Sequence, residues 1–375
     1  MKAEVFIAGD CIISPLGTGS RLNFEKLLLG ETAISPIDDP ALADHRIHAA
    51  RIADNQWIEK LRNAQQYTRL ETLFILAIQQ LIDAHRIPVD ERTLVLLSTT
   101  KGNVSLLHNP AAQFPPSRVH LSAMAHEIQR YFGFANQPIT ISNACISGAL
   151  ALSVARQLLQ YNEAYDHALV IGGDEISKFI VSGFDAFQAL SDGRCRPFDR
   201  DRNGLNLGEA IAAAYVSKNA SEDAIHIKAA GSSNDANHIS GPSRTGEGLY
   251  RSICEAMRLA DDPMLDFISA HGTATVYNDE MEAIALHRYG LSETPLHSLK
   301  AYYGHTLGAS GLLETILGLH SLRTNQLIPS LGFQHPGTSK PLNVITQPLA
   351  RPLKTFLKTA SGFGGCNIAM VFEKV

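Results

Sequence analysis

Three residues far apart in the chain have the types needed for nucleophilic and acid–base chemistry: Cys145, His271 and His305. Cys145 lies in Ile139-Thr-Ile-Ser-Asn-Ala-Cys-Ile-Ser-Gly-Ala-Leu-Ala-Leu-Ser-Val-Ala-Arg-Gln-Leu-Leu159, at the join of a short β-branched run and a long apolar helix. A thiol at a helix start meets unpaired N–H groups and the positive end of the helix dipole, which favour a thiolate. Ser147, Gly148, Ala149 and Ala151 keep the first turns slim, which predicts close approach of a substrate. The alternative is a buried structural cysteine, the commoner fate of a free thiol.

His271 opens His271-Gly-Thr-Ala-Thr-Val-Tyr-Asn-Asp279 at the end of an apolar run, Phe267–Ala270, where α/β proteins place their sites. The bland alternative is an imidazole satisfied by neighbouring backbone. His305 lies in Ser298-Leu-Lys-Ala-Tyr-Tyr-Gly-His-Thr-Leu-Gly-Ala-Ser-Gly-Leu-Leu-Glu314, after a glycine and before small residues. Lys300 and Glu314 bracket it, either as a buried ion pair or as two solvated charges. Cys145, His271 and His305 lack the close ligand pair of a zinc site, so no metal is expected.

Apolar strands alternating with amphipathic helices must carry these residues. Thr93–Leu97 and Ala168–Ile171 read as buried strands, Ile211–Val216 and Ile225–Ala229 as further strands, and 68–85, 121–132, 249–260, 281–289 and 309–322 as helices. Residues 35–44 read as a Pro- and Asp-rich loop. That alternation predicts a layered α/β protein with parallel sheet. With 375 residues, two domains or two fused halves are expected. Strand, polar turn with a reactive residue, then small-residue helix occurs around Cys145 and again around His305, an internal echo pointing to duplication.

Hydrophobic residues make up 45% and charged residues 18% of the chain, the balance of a soluble globular protein. A net charge of −5 without a basic block argues against nucleic acid or an anionic membrane as partner, while leaving room for a local basic patch that meets an acidic carrier protein. The five cysteines are an odd, scattered set without a Cys-x-x-Cys pair, which fits a reducing compartment. Met1-Lys2 runs into Val5–Ala8 and then Gly9-Asp10, too short for a signal peptide core, and no long apolar run is present. A cytoplasmic protein is expected.

Taken together, these residues resemble the β-ketoacyl-acyl-carrier-protein synthases, condensing enzymes of the thiolase superfamily with a Cys-His-His triad. The likeness spans nearly the whole chain, from Ser14-Pro-Leu-Gly17 through Asn143-Ala-Cys-Ile-Ser-Gly148, Gly172-Gly173-Asp-Glu175 and Gly183-Phe-Asp-Ala-Phe-Gln-Ala-Leu-Ser191. It continues with Arg196-Pro-Phe-Asp-Arg-Asp-Arg-Asn-Gly204, Asp235-Ala-Asn-His238, His271-Gly-Thr-Ala-Thr275, Lys300 with Gly304-His-Thr306, and Gly362-Phe-Gly-Gly365.

The resemblance implies a five-layer αβαβα thiolase-like fold of two pseudo-repeated halves: residues 1–222 with the nucleophile and 223–375 with both histidines. It implies a 3-oxoacyl-acyl-carrier-protein synthase of a type II fatty-acid, polyketide or polyene pathway. Cys145 would hold the acyl chain, and His271 and His305 would donate hydrogen bonds from neutral imidazoles during decarboxylation of a malonyl extender. Lys300 with Glu314 would shape the local field. The N–H groups of Cys145 and Phe363 would form the oxyanion hole, with Gly362, Gly364 and Gly365 freeing Phe363 as a gate. Thr273 and Thr275 match positions that bind the pantetheine arm. No cofactor is resident; 4′-phosphopantetheine arrives on the acyl carrier protein. The expected assembly is a homodimer or a heterodimer with another ketosynthase-like subunit. The alternative role is that of a chain-length-factor-like partner subunit, but such subunits typically lack the nucleophile that this chain keeps.

Two departures from the family pattern bear on the acyl pocket. Ser98-Thr-Thr-Lys-Gly-Asn103 stands where the family has a glycine-rich turn, and the stretch from there to Cys145 is short. Lys101 is expected near the floor of the acyl pocket, to which Phe187 is also assigned. A charge beside an alkyl chain is costly unless paired, which predicts a short pocket or a polar tunnel.

Overall fold

The computed structural model describes residues 3–53 and 64–375; the opening Met1-Lys2 pair lies outside the described residues. The first half contributes strands β1 (Phe6–Ser14), β2 (Thr93–Ser98), β3 (Ile139–Ile141), β4 (His167–Asp174) and β5 (Ala210–Ser217). The second contributes β6 (Ile225–Asn234), β7 (Phe267–Ser269), β8 (Leu296–His297), β9 (Thr355–Gly362) and β10 (Cys366–Lys374). They lie side by side in the order β3-β2-β4-β5-β1 and then β6-β10-β9-β7-β8.

Each half repeats one pattern. Its second strand runs parallel to its third and fourth, and its fifth runs antiparallel to its fourth and first. The halves join where β1 meets β6, with Phe6 opposite His226. The echo heard in the sequence is therefore topological: Cys145 follows the third strand of one half and His305 the third strand of the other.

Nine helices are seen among the described residues, α1 (Ser20–Leu28), α2 (Arg69–His85), α3 (Leu121–Phe132), α4 (Ser147–Tyr161), α5 (Lys178–Ala186), α6 (Glu247–Leu259), α7 (Val276–Tyr289), α8 (Lys300–Tyr303) and α9 (Ser310–Thr324). Alternation along β2 explains the layering: Leu94 and Leu96 face one core, Val95 and Leu97 the other. α2 and α3 cover the outer face with Leu70, Phe74, Ile78, Met124 and Ile128. α4 and α9 fill the middle layer with Leu152, Leu159, Leu312 and Ile316, and α6 and α7 close the other outer face with Ile253, Met257 and Leu286. The result is the expected αβαβα arrangement.

Local chemistry sets the helix ends. α2 starts on a capping box in which Thr68 accepts from the Glu71 N–H and the Glu71 carboxylate accepts from the Thr68 N–H. α3 and α7 stop at Gly133 and Gly290 in left-handed conformation. α7 starts five residues before the helix read at 281, because its first turn, with Val276 and Tyr277 exposed, carries no apolar periodicity. Within the expected 35–44 loop, Ser35–Ile37 pairs with Ile47–Ala50, and the latter pairs with Leu207–Gly208.

The small residues of α4 serve a different purpose from the one expected. A Cβ on Gly148 would stand 2.8 Å from the Leu312 backbone nitrogen, and one on Gly311 would stand 2.8 Å from Ala149. Slimness here lets α4 and α9 cross in contact, which brings the loops bearing Cys145 and His305 together. No helix among the described residues is long and apolar enough to cross a membrane.

Candidate active site

Cys145, His271 and His305 meet on the wall of one cavity of about 340 Å³, together with Thr273, Thr275, Gly362 and Phe363. Cys145 stands just ahead of α4, after Ala144 in left-handed conformation (φ 44°), a position that an alanine occupies under strain. The Ala144 carbonyl accepts from the Ser147 hydroxyl at 2.6 Å, which pins the bend. Burial, reinforced by the neighbouring Cys366 thiol, pushes the Cys145 thiol up to about 12 against the pull of Lys300 and of a backbone hydrogen bond from Phe363. The thiolate expected from the helix start is thus overruled by desolvation; the resting residue is a thiol.

Phe363 sits at the tip of the β9–β10 hairpin, just after the Gly362–Cys366 pair. Its ring packs on Phe184 and, edge-on, on Phe187, with centroids at 5.7 and 5.3 Å. Gly364 and Gly365 adopt φ values of 87° and 79°, which a side chain would resist. Gly362 does not; it is needed for space, since a Cβ there would lie 3.0 Å from the Cys145 nitrogen and 2.9 Å from the Cys366 sulfur. The absence of a side chain at Gly362 thus lets the hairpin bearing Phe363 approach the Cys145 backbone, and a Phe363 backbone hydrogen bond reaches the Cys145 thiol.

The imidazoles of His271 and His305 are buried, 5.3 Å apart between centroids and nearly perpendicular. Leu307 N–H donates to His305 Nδ1 at 3.3 Å, so in the neutral ring the proton sits on Nε2, which is buried and has no protein partner. Burial and then Lys300 push His305 down to about 3 and hold His271 well below the ordinary imidazole value. Both rings are neutral at physiological pH. The His271 and Gly272 N–H groups donate to the two Glu282 oxygens at 2.9 and 2.8 Å, which fixes the turn. The His305 backbone is held by Asn206 and Gly208, and Gly304 is obligatory because a Cβ would reach 2.4 Å from the Leu207 carbonyl.

Lys300 and Glu314 are the buried ion pair of the two alternatives, not solvated charges. Lys300 also donates to the His271 carbonyl at 3.0 Å. A second lysine, Lys358, reaches the other Glu314 oxygen at 2.7 Å. Against the upward push of burial, Lys300 and then Lys358 pull Glu314 down to about 2. Asp174 at the end of β4 accepts from Thr100 N–H, the Thr99 hydroxyl and Gly308 N–H, tying the turn after β2 to the loop after His305.

Thr273 and Thr275 face the cavity with hydroxyls 2.9 Å apart. Of the two residues expected in the acyl pocket, one lines this cavity and the other does not. Lys101 is exposed, is not part of the cavity wall and donates to its own neighbour's carbonyl, Thr100, as a charge that prefers water would. Phe187 lines the mouth of the cavity, half exposed, with its ring edge-on to Phe363. Lys358 and Glu282 went unnoticed in the sequence, although a lysine in the middle of the apolar run Thr355-Phe-Leu-Lys-Thr-Ala360 is the kind of conflict that marks a buried charge.

Residues 2–221 match the family described as beta-ketoacyl synthase, N-terminal domain, and residues 224–334 match beta-ketoacyl synthase, C-terminal domain. Among curated relatives, 3-oxoacyl-[acyl-carrier-protein] synthase 2 of Rhizobium meliloti is 27% identical over 99% of both chains. The enzyme of the same name from Coxiella burnetii is 26% identical over 100% of this chain and 99% of its own. Among solved structures, the ketosynthase (ApeO) in complex with its chain length factor (ApeC) from Xenorhabdus doucetiae superposes with a TM-score of 0.89 at 23% identity, covering 100% of this chain and 98% of the other. The ishigamide ketosynthase/chain length factor gives 0.89 at 22%, covering both chains fully. The chain belongs to the beta-ketoacyl synthase family and is a condensing enzyme of the acyltransferase type.

Proposed function

We propose that this protein extends an acyl thioester by two carbons through acyl-Cys145, with malonyl-acyl carrier protein as extender, in a dissociated fatty-acid or polyketide-type pathway. The observation that carries the reading is the pair of neutral imidazoles on the wall of one cavity with a buried thiol, with His305 Nδ1 taken by the Leu307 N–H and Nε2 buried without a protein partner. In the first half-reaction the Cys145 sulfur attacks the thioester carbonyl, and the oxyanion is held by the N–H groups of Cys145 and Phe363. The C–S bond to pantetheine breaks, and the departing sulfur takes up the proton that Cys145 gives up.

In the second, a malonyl thioester places its carbonyl oxygen against the imidazole donors. Loss of CO₂ leaves its electron pair as an enolate, which His271 and His305 stabilise. The carbanion attacks acyl-Cys145, and the tetrahedral intermediate collapses to a 3-oxoacyl thioester and a free cysteine, which regains a proton. Lys300, held by Glu314, orients the loop of His271, and burial followed by the Lys300 charge keeps the rings neutral against the opposing pull of Glu314 on His305.

The pantetheine arm enters past Thr273 and Thr275 under a mouth of exposed apolar side chains, Phe187, Ile239, Val276 and Tyr277. The duplicated pattern fits two units, 1–222 and 223–375. A dimer partner, a second copy or a related ketosynthase subunit, would cover the outer edge of β3, which pairs only with β2 among the described residues. A cytoplasmic location accords with free thiols throughout.

The test is incubation of the purified protein with a panel of acyl-carrier thioesters followed by malonyl-acyl carrier protein. The account expects 3-oxo products two carbons longer. A protein that contributes to product only when mixed with a second ketosynthase subunit, and contributes equally as Cys145→Ala, would refute it in favour of the partner-subunit role.

A further inference from the structure

Behind the cavity lies a buried cation that the reaction just described leaves without a task. Strand β9 turns Phe356, Lys358 and Ala360 toward α9, and on this apolar face Lys358 is 1% exposed. Lys358 stands opposite Ser269 on β7, which stands opposite His297 on β8. Its ammonium donates to the carbonyls of Ser269 (3.0 Å), Ala270 (3.4 Å) and Thr359 (2.7 Å), and pairs with Glu314. Lys300, on the other Glu314 oxygen, takes the next carbonyl, that of His271. Two ammoniums gathered on one carboxylate thus grip three successive carbonyls, 269 to 271, of the segment that ends in a catalytic imidazole. An apolar side chain would fill this place without the heavy desolvation cost of an ion.

We propose that Lys358 is a positioning residue for the condensation half-reaction, resting on the acyl-transfer reading above: it fixes the Ser269–His271 segment against Glu314 and keeps His271 and His305 as neutral N–H donors. The charged and titratable groups facing the two rings are Lys300 from α8, Glu314 from α9, Lys358 from β9 and Glu282 from α7, with His297, Asp174, Cys145 and Cys366 around them. Without Lys358, one ammonium would face two carboxylates, and the surplus negative charge would favour imidazolium. A proton on His305 Nδ1 would oppose the Leu307 N–H. An imidazolium would also hold the malonyl carboxylate as an ion pair and oppose its loss as CO₂.

Lys358→Met in the full chain tests this with three readouts: acyl loading of Cys145 from an acyl-carrier thioester, the pH profile of condensation, and ring titration by NMR of histidine-labelled protein. Loading is expected to stay within about threefold, while condensation falls and its acid limb moves up by about one pH unit, a tenfold change in protonation. Ring midpoints that do not move, or loading and condensation lost in equal measure, would overturn the proposal, since a merely structural lysine predicts the latter. If Lys358→Met does not fold, Lys358→Gln, which keeps a hydrogen-bond donor without the charge, takes its place with the same readouts. Ring midpoints that rise by about one pH unit support the proposal, and midpoints that stay at the wild-type value overturn it. A wild type that loads and elongates no carrier thioester would instead sink the reaction reading, with the NMR midpoints still judging the lysine.

Discussion

Replacing Gly362 by alanine probes the proposed oxyanion hole through a single methyl group. The added carbon would stand 3.0 Å from the Cys145 nitrogen, 2.9 Å from the Cys366 sulfur and 3.1 Å from the Ala144 Cβ. Two of these neighbours belong to the strained bend that carries the nucleophile, and the third belongs to the strand across the hairpin. Something must yield by a few tenths of an ångström, and the mobile party is the hairpin tip with the Phe363 N–H. Gly362 has no left-handed backbone requirement, so the folding penalty is that of overpacking, about 1–3 kcal/mol.

Losing one donor to a developing oxyanion costs about 2.7–4 kcal/mol, or about 10²–10³ in rate. Single-turnover acyl transfer to Cys145, followed by quenching and intact-mass measurement, would show that loss. Release of CO₂ from malonyl-acyl carrier protein would not, because its enolate rests on the histidines rather than on the hole. Wild-type acyl transfer in a folded Gly362→Ala protein would refute the assignment of the Phe363 N–H.

The complementary change, His305→Ala, should slow CO₂ release and condensation by about 10²–10³ while acyl loading survives, measured with labelled malonyl thioester; equal loss of loading would contradict the division of labour. Because the Cys145 thiol is pushed up to about 12, its alkylation by iodoacetamide should rise about tenfold per pH unit from pH 7 to 10 with no plateau near neutrality. Glu314, pulled down to about 2 in the fold from an ordinary 4.5, stabilises the protein fully above its unfolded value, and that contribution is lost as pH falls through about 2. Denaturant melts of wild type and Glu314→Gln between pH 6 and 3 should therefore converge as pH falls; parallel curves would contradict the sign of this linkage.

Much of this was legible in the residues themselves. Apolar strands alternating with amphipathic helices point to a layered α/β protein, the family resemblance supplies the five αβαβα layers, and the Cys145/His305 echo matches a repeat that the strand order displays. Local signals failed where distance mattered. The slim first turns of α4 looked like room for substrate, yet their partner is α9, more than a hundred residues onward, and only the crossing shows it. The helix-start argument for a thiolate considered the dipole and not the desolvation that closes around Cys145. The turn around Lys101, standing where the family has a glycine-rich one, points to the pocket floor, whereas its charge takes the side chain to water. Lys358 was visible as a lysine inside an apolar strand, but its purpose needed Glu314 and the Ser269–His271 carbonyls brought beside it.

The most direct measurement is peptide mapping of the protein after exposure to an acyl-carrier thioester, before and after adding malonyl-acyl carrier protein. The account predicts the acyl mass on the peptide containing Cys145, then its disappearance in step with a 3-oxo product two carbons longer. Product formed at the wild-type rate by Cys145→Ala, or an acyl group that settles on another residue, would contradict it.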